Sequence, residues 1–349
     1  MENSIWDWIY RYFGDLYDQG QDEMVEKLDN FSSIAYDKDQ DAVEAAFPEL
    51  IAFARSEDNK WLEIYLRHWR MQSYVNTNHD PRKLVPEVLD LLAFCQDEDT
   101  KTCPQSVCVI DDITDVYAAI DAPGFAPERC EMLEDTLRDL SPGRECYQCM
   151  TLSYVDALTD QGQPEKALEV WKANSKQNLD IVQGDHFYRY LASMVVRSMI
   201  NAGHHEDASE LIEKCTPPQA DGVADLRCLK VRNFMALGKV DKARTEFDAL
   251  LNTDIDDIPI AEFICAVRDI GDEVESCETH LLTLANFALE RGRMREAFDS
   301  ASLGLDMAVK SKQNETAQKL LNVMSEARQG LHRSLGADET LQKAKAVIF

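Results

Sequence analysis

Cys146-Tyr147-Gln148-Cys149 is the single CxxC of the chain. Thiolates at this spacing can form half of a tetrahedral zinc site, with Cys130 or with Cys103 and Cys108 supplying the rest. They can also form a redox pair. No second CxxC and no nearby histidine pair completes a metal set, and both cysteines stand at helical spacing to Leu152, so they read as packing residues. His204-His205 is an adjacent pair. On a helix such neighbours diverge by about 100°, which rules out the joint grip of an i, i+4 pair. Asp254, Asp256 and Asp257 have the composition of a calcium loop but lack its glycine and distal glutamate, so they read as an acidic linker. The sequence contains no glycine-rich phosphate loop, GxSxG elbow or HExxH. The expectation is a protein with no catalytic residues, no metal and no cofactor, and hence not an enzyme.

Charge narrows the partners. The net charge is −28. Residues 1–150 carry 32 acidic and 13 basic side chains, and residues 301–349 carry 5 and 7. Such a surface repels a phosphate backbone and an anionic bilayer, so neither nucleic acid nor membrane is expected as a partner. The N-terminus has no basic stretch followed by an apolar run, and no segment offers about 18 uncharged apolar residues. The ten cysteines therefore read as reduced thiols of a cytoplasmic protein.

The elements that must position these residues are helices. Ile5, Trp8, Ile9, Tyr12, Phe13 and Leu16 recur with helical period behind a cap at Asn3 or Ser4. Residues 107–116 are the most strand-like stretch, yet Val109, Ile110, Ile113 and Val116 also fit a helix and predict one. Hydrophobic residues make up 45% of the chain, enough for a core, while 14 glycines and 11 prolines leave few breakers. The fold class expected is all-α.

One register recurs. A glycine ends a helical run and an alanine follows five residues later, at Gly162/Ala167, Gly203/Ala208, Gly238/Ala243 and Gly292/Ala297. Glycine reaches positive φ in the tight turn. Alanine lets two helices approach closely. Trp171, Ile212 and Phe247 follow the first three alanines by four residues to fill the groove, whereas the fourth pair has Ala301 there and Phe298 beside its alanine. These four hairpins resemble tetratricopeptide repeats. The resemblance implies a right-handed α-solenoid of antiparallel helix hairpins over residues 145–311, with an inserted helix near 255–271. It implies degenerate hairpins over 1–144 and capping helices over 312–349.

In that family the first helix of each hairpin lines a concave groove, and contact positions count back from the glycine. The resemblance thus implies a partner-binding groove with Arg197, Arg232 and Asn286 six residues before their glycines, Tyr190 thirteen before, and Met235 three before. The two arginines and the asparagine would form a local anion site, unless the arginines pair instead with Asp156 or Asp225. Lysine and asparagine of the chaperone-binding carboxylate clamp are not at the matching positions. The function expected is a scaffold or regulatory adaptor that binds a protein or peptide in this groove. Alternatives are a sensor of a small ligand or signalling peptide, and a metal-binding protein or enzyme on the same helices. The aromatic N-terminal helix, with Trp6, Trp8, Tyr10, Tyr12, Phe13 and Tyr17, either packs on the next hairpin or forms a homodimer surface.

Overall fold

The computed structural model describes residues 4–36, 39–76, 81–121, 125–142, 144, 146–178, 186–215, 226–255, 258–273 and 277–333. Seventeen α-helices and no strand occur among them. The chain divides into two compact units, the first built from residues 1–119 and 131–150, the second from residues 120–130 and 151–335.

The first unit starts with α1 (Ile5–Asp18) and α2 (Asp22–Tyr36), then α3 (Gln40–Ser56) and α4 (Lys60–Asn76). Ser4 caps α1, its Oγ accepting from the Asp7 N–H at 3.2 Å. A 3-10 turn at Pro81–Leu84 leads into α5 (Val85–Phe94), and another at Pro104–Val107 leads into α6 (Cys108–Asp121). The strand-like stretch is thus turn and helix. Ile9, Leu28, Phe31, Leu50, Leu62 and Tyr65 are buried in its core. Helices α7 (Ala126–Asp139) and α8 (Cys146–Asp160) each contribute residues to both units.

The second unit continues with α9 (Pro164–Asn178), α10 (His186–Ala202), α11 (His205–Cys215), α12 (Arg227–Ala236) and α13 (Val240–Leu250). It ends with α14 (Ile260–Ile270), α15 (Glu278–Glu290), α16 (Met294–Lys310) and α17 (Asn314–Arg333). The four glycines behave alike, with φ of 77°, 82°, 68° and 72° at Gly162, Gly203, Gly238 and Gly292. Gly203 directly follows its helix, and the other three stand two positions past theirs. The next residue donates its N–H back five positions, Gln163 to Leu158 O, His204 to Met199 O, Lys239 to Phe234 O and Arg293 to Ala288 O, at 2.8–2.9 Å. This is the Schellman closure, which satisfies carbonyls orphaned at the helix end. Ala167, Ala208, Ala243 and Ala297 are fully buried, with Trp171, Ile212 and Phe247 buried one turn on.

The same closure recurs where no glycine announces it. Asp58 and Lys312 have φ of 50° and 59°. Asn59 N–H bonds Ala54 O at 2.9 Å and Gln313 N–H bonds Ala308 O at 2.8 Å. The α3/α4 and α16/α17 connections are therefore built on the turn of the glycine hairpins. Of the expected C-terminal helices, α17 is described; residues 334–349 lie outside the described residues.

Candidate functional site

Helices α8, α10, α12 and α14 carry a row of ion pairs in the second unit. Asp156 and Asp160 stand one turn apart on α8 and so share a face. Two guanidiniums grip them. Arg129 donates through Nη2 to Asp156 at 3.1 Å and through Nη1 to Asp160 at 2.8 Å. Arg197 of α10 donates to the other oxygen of each, reaching Asp160 at 2.8 Å and also bonding Asp156. Glu262 of α14 then joins two arginines, standing 3.8 Å from Arg197 Nε and 3.0 Å from Arg232 Nη1. Arg232 of α12 further donates to Asp269 at 3.0 Å and to Asn201 at 3.0 Å.

Solvent access changes along the row. The Arg129 and Asp160 side chains are 3% and 8% exposed, whereas Asp269 at the far end is 43% exposed. Burial opposes the charge of Arg197, but Asp156, Asp160 and Glu262 outweigh it and raise its pKa. Burial likewise opposes ionisation of Asp160, yet Arg197 and Arg129 hold its pKa below the ordinary carboxylate value. For Asp156, burial together with the Asp160 charge prevails over the two guanidiniums, and the pKa is raised.

This geometry changes the expected groove. Arg197 and Arg232 are linked through Glu262. They are not free to capture a carboxylate, because four carboxylates of the chain already occupy them. Asn286 does not extend the line. Helix α14 packs against α12 and supplies the next acidic pair, while Asn286 is exposed on α15 and donates to Leu282 O one turn back at 3.0 Å. Met235 is half-buried and packs against the core cluster around Phe247 and Phe263. The side chains of Tyr190 and Asp225 lie outside the described residues. Sequence reasoning missed Arg129, Asp160, Glu262, Asp269 and Asn201. The i, i+4 spacing of Asp156 and Asp160 was the available signal.

The other motifs disperse. His204 Nε2 lies 3.4 Å from Glu165, and His205 Nδ1 lies 3.1 Å from buried Asn233, so the pair points to separate partners. Asp256 and Asp257 lie outside the described residues. No group of three or more metal-capable side chains occurs among the described residues. Cys146 meets Cys108, with sulfurs 2.6 Å apart.

The first unit has a polar site of its own. Buried Asp112 of α6 accepts from His68 Nδ1 at 2.8 Å and from Gln72 Nε2 at 2.7 Å, tying α6 to α4. An open cleft of about 410 Å³ is lined by Phe47, Ile51, Arg55, Arg67, Arg70 and Glu87, among others. Its arginines are also internally paired: Arg55 with Glu63, Arg67 with Asp90, and Arg70 with Glu44 and Glu87.

Comparison with protein-family models finds no match, and comparison with curated proteins finds none either. No helix among the described residues is long and apolar enough to cross a membrane.

Proposed function

We propose that the chain is a non-enzymatic scaffold, a right-handed α-solenoid of tetratricopeptide-like hairpins that binds a protein partner along the face of α8, α10, α12 and α14. The observation carrying this reading is the ion-pair row itself. It runs across α8, α10 and α12, the first helices of three successive glycine hairpins, and on to α14, and it opens to solvent at Asn201 and Asp269. Three arginines against four carboxylates leave the row one negative charge, within a chain of net charge −28. A partner presenting lysine or arginine side chains therefore complements it, rather than the carboxylate-bearing peptide that the arginines alone suggest. The reading assigns no catalytic step, since Asp156 and Asp160 are gripped by guanidiniums instead of facing a substrate.

The test places a photo-crosslinking amino acid at Asn201 and, as a control, at exposed Glu169 on α9. Crosslinking of one cellular protein from Asn201 and not from Glu169 is expected. Binding of that purified protein should weaken with Asp269→Lys. Crosslinks confined to Glu169, or binding indifferent to Asp269→Lys, would reject this face.

A second reading concerns self-association. Trp6, Tyr10 and Tyr17 on α1 are 37%, 60% and 49% exposed, three of the large apolar side chains left in solvent. We propose a homodimer surface there, with Trp6 anchored by Tyr65 and Trp69 at ring distances of 6.2 and 6.0 Å. Sedimentation velocity over a concentration series should show a dimer that the Tyr10→Ser/Tyr17→Ser variant loses. A monomer at every concentration would dismiss it.

A further inference from the structure

Cys108 and Cys146 open α6 and α8 and stand 38 positions apart in the chain. Their sulfurs approach to 2.6 Å, well inside the roughly 3.5–4.0 Å of ordinary non-bonded heavy-atom contact. Both residues are half-buried. Cys149, one turn after Cys146, is also half-buried, whereas Cys95 and Cys103 are buried. We propose that Cys108 and Cys146 form a reversible disulfide, a thiol-modification site of the first unit.

Glutathione disulfide is a sufficient oxidant. The thiolate of one cysteine attacks it, forming a mixed disulfide and releasing one glutathione. The second thiolate attacks the protein sulfur of that mixed disulfide and releases the other glutathione. The protein loses two protons and two electrons, and the oxidant is reduced to two thiols. The hydrogen bond with Cys146 and burial both raise the Cys108 pKa, and burial raises that of Cys149. Exchange is therefore slow at neutral pH and speeds up as pH rises, because the thiolate is the attacking form. The CxxC spacing drew attention to Cys146 with Cys149. The fold instead gives Cys146 a partner from another helix.

The test incubates the reduced full chain with mixtures of glutathione and its disulfide at about pH 8.5, where more thiolate is present. Free thiols are then blocked with iodoacetamide and the peptides mapped. A cross-linked peptide containing Cys108 and Cys146 is expected, with a mass loss of about 2 Da that dithiothreitol reverses. The melting temperature should rise, since the cross-link restricts the unfolded chain. Cys149→Ser should still form the bond, and Cys108→Ser should not. The proposal is overturned if both thiols remain alkylated in excess glutathione disulfide, if glutathione adducts persist unclosed, or if the bond formed joins Cys146 to Cys149.

Discussion

Arg129 and Arg197 donate to opposite oxygens of one carboxylate, that of Asp160, each at 2.8 Å. Two like charges are thereby held together only because Asp156 and Asp160 stand between them. Burial and the neighbouring Arg197 charge both oppose ionisation of Arg129, yet Asp156 and Asp160 outweigh them and raise its pKa. The quartet is a closed unit: removing one member leaves a charge without compensation in a place from which water is largely excluded.

Arg197→Met tests that closure. The variant keeps the apolar stem but leaves Asp156 and Asp160 with Arg129 alone, and should cost about 3–5 kcal/mol in urea denaturation. Asp269→Asn removes a carboxylate at the exposed end of the same row and should cost about 0–1 kcal/mol. Equal losses at the two positions would contradict the gradient of burial along the row.

The two aspartates should respond oppositely to acid. Asp160 has a folded pKa below its unfolded value of about 3.9, so its stabilising contribution is present above that value and is lost as pH falls through the lower folded one. Asp156 has a raised folded pKa, so the folded state binds its proton more readily, and its contribution improves as pH falls. Between about pH 5 and 3, Asp160→Asn should flatten the loss of stability and Asp156→Asn should steepen it. Urea midpoints at several pH values measure both slopes.

The Asp112 carboxylate is buried and accepts from His68 and Gln72. Asp112→Ala removes the acceptor that His68 and Gln72 share and should cost about 1–3 kcal/mol. His68→Leu/Asp112→Leu should lose less than the sum of its single variants, because the His68–Asp112 contact is then removed from both sides and only the Gln72 bond is lost besides. Additive losses would show that the two residues are not coupled.

Much of the helical layout was legible because its signals are local. Glycine at a helix end and alanine five residues on report backbone strain and close approach, which depend on neighbours in sequence. The ion-pair row was not legible in the same way. Arg232 finds Glu262 and Asp269 at separations of 30 and 37 residues, across the irregular step between Gly238 and Gly292. Helix α14 fills that step, so a count back from Gly292 placed Asn286 where the chain instead presents acidic residues. Cys146 shows the same limit: its nearest thiol in sequence is Cys149, and its neighbour in space is Cys108.

The turn chemistry gives a prediction in two directions. At Gly203, φ is 82° and an added Cβ would meet nothing within 4 Å, so Gly203→Ala isolates backbone strain from crowding. It should cost about 1–2 kcal/mol. Lys312 already bears that strain, at φ 59° in the matching turn between α16 and α17, with its side chain exposed. Lys312→Gly relieves the Cβ clash while giving the unfolded chain more freedom, and the two effects partly offset. The strain is the larger, so a gain of about 0.5–1 kcal/mol is expected. Thermal and urea denaturation of both variants decide the matter. Opposite signs at the two positions would mean that one turn geometry serves hairpins with and without glycine. A loss at both would mean that the Lys312 side chain contributes more than its backbone costs, and that the α16/α17 turn is held by contacts rather than by the closure shared with the other hairpins.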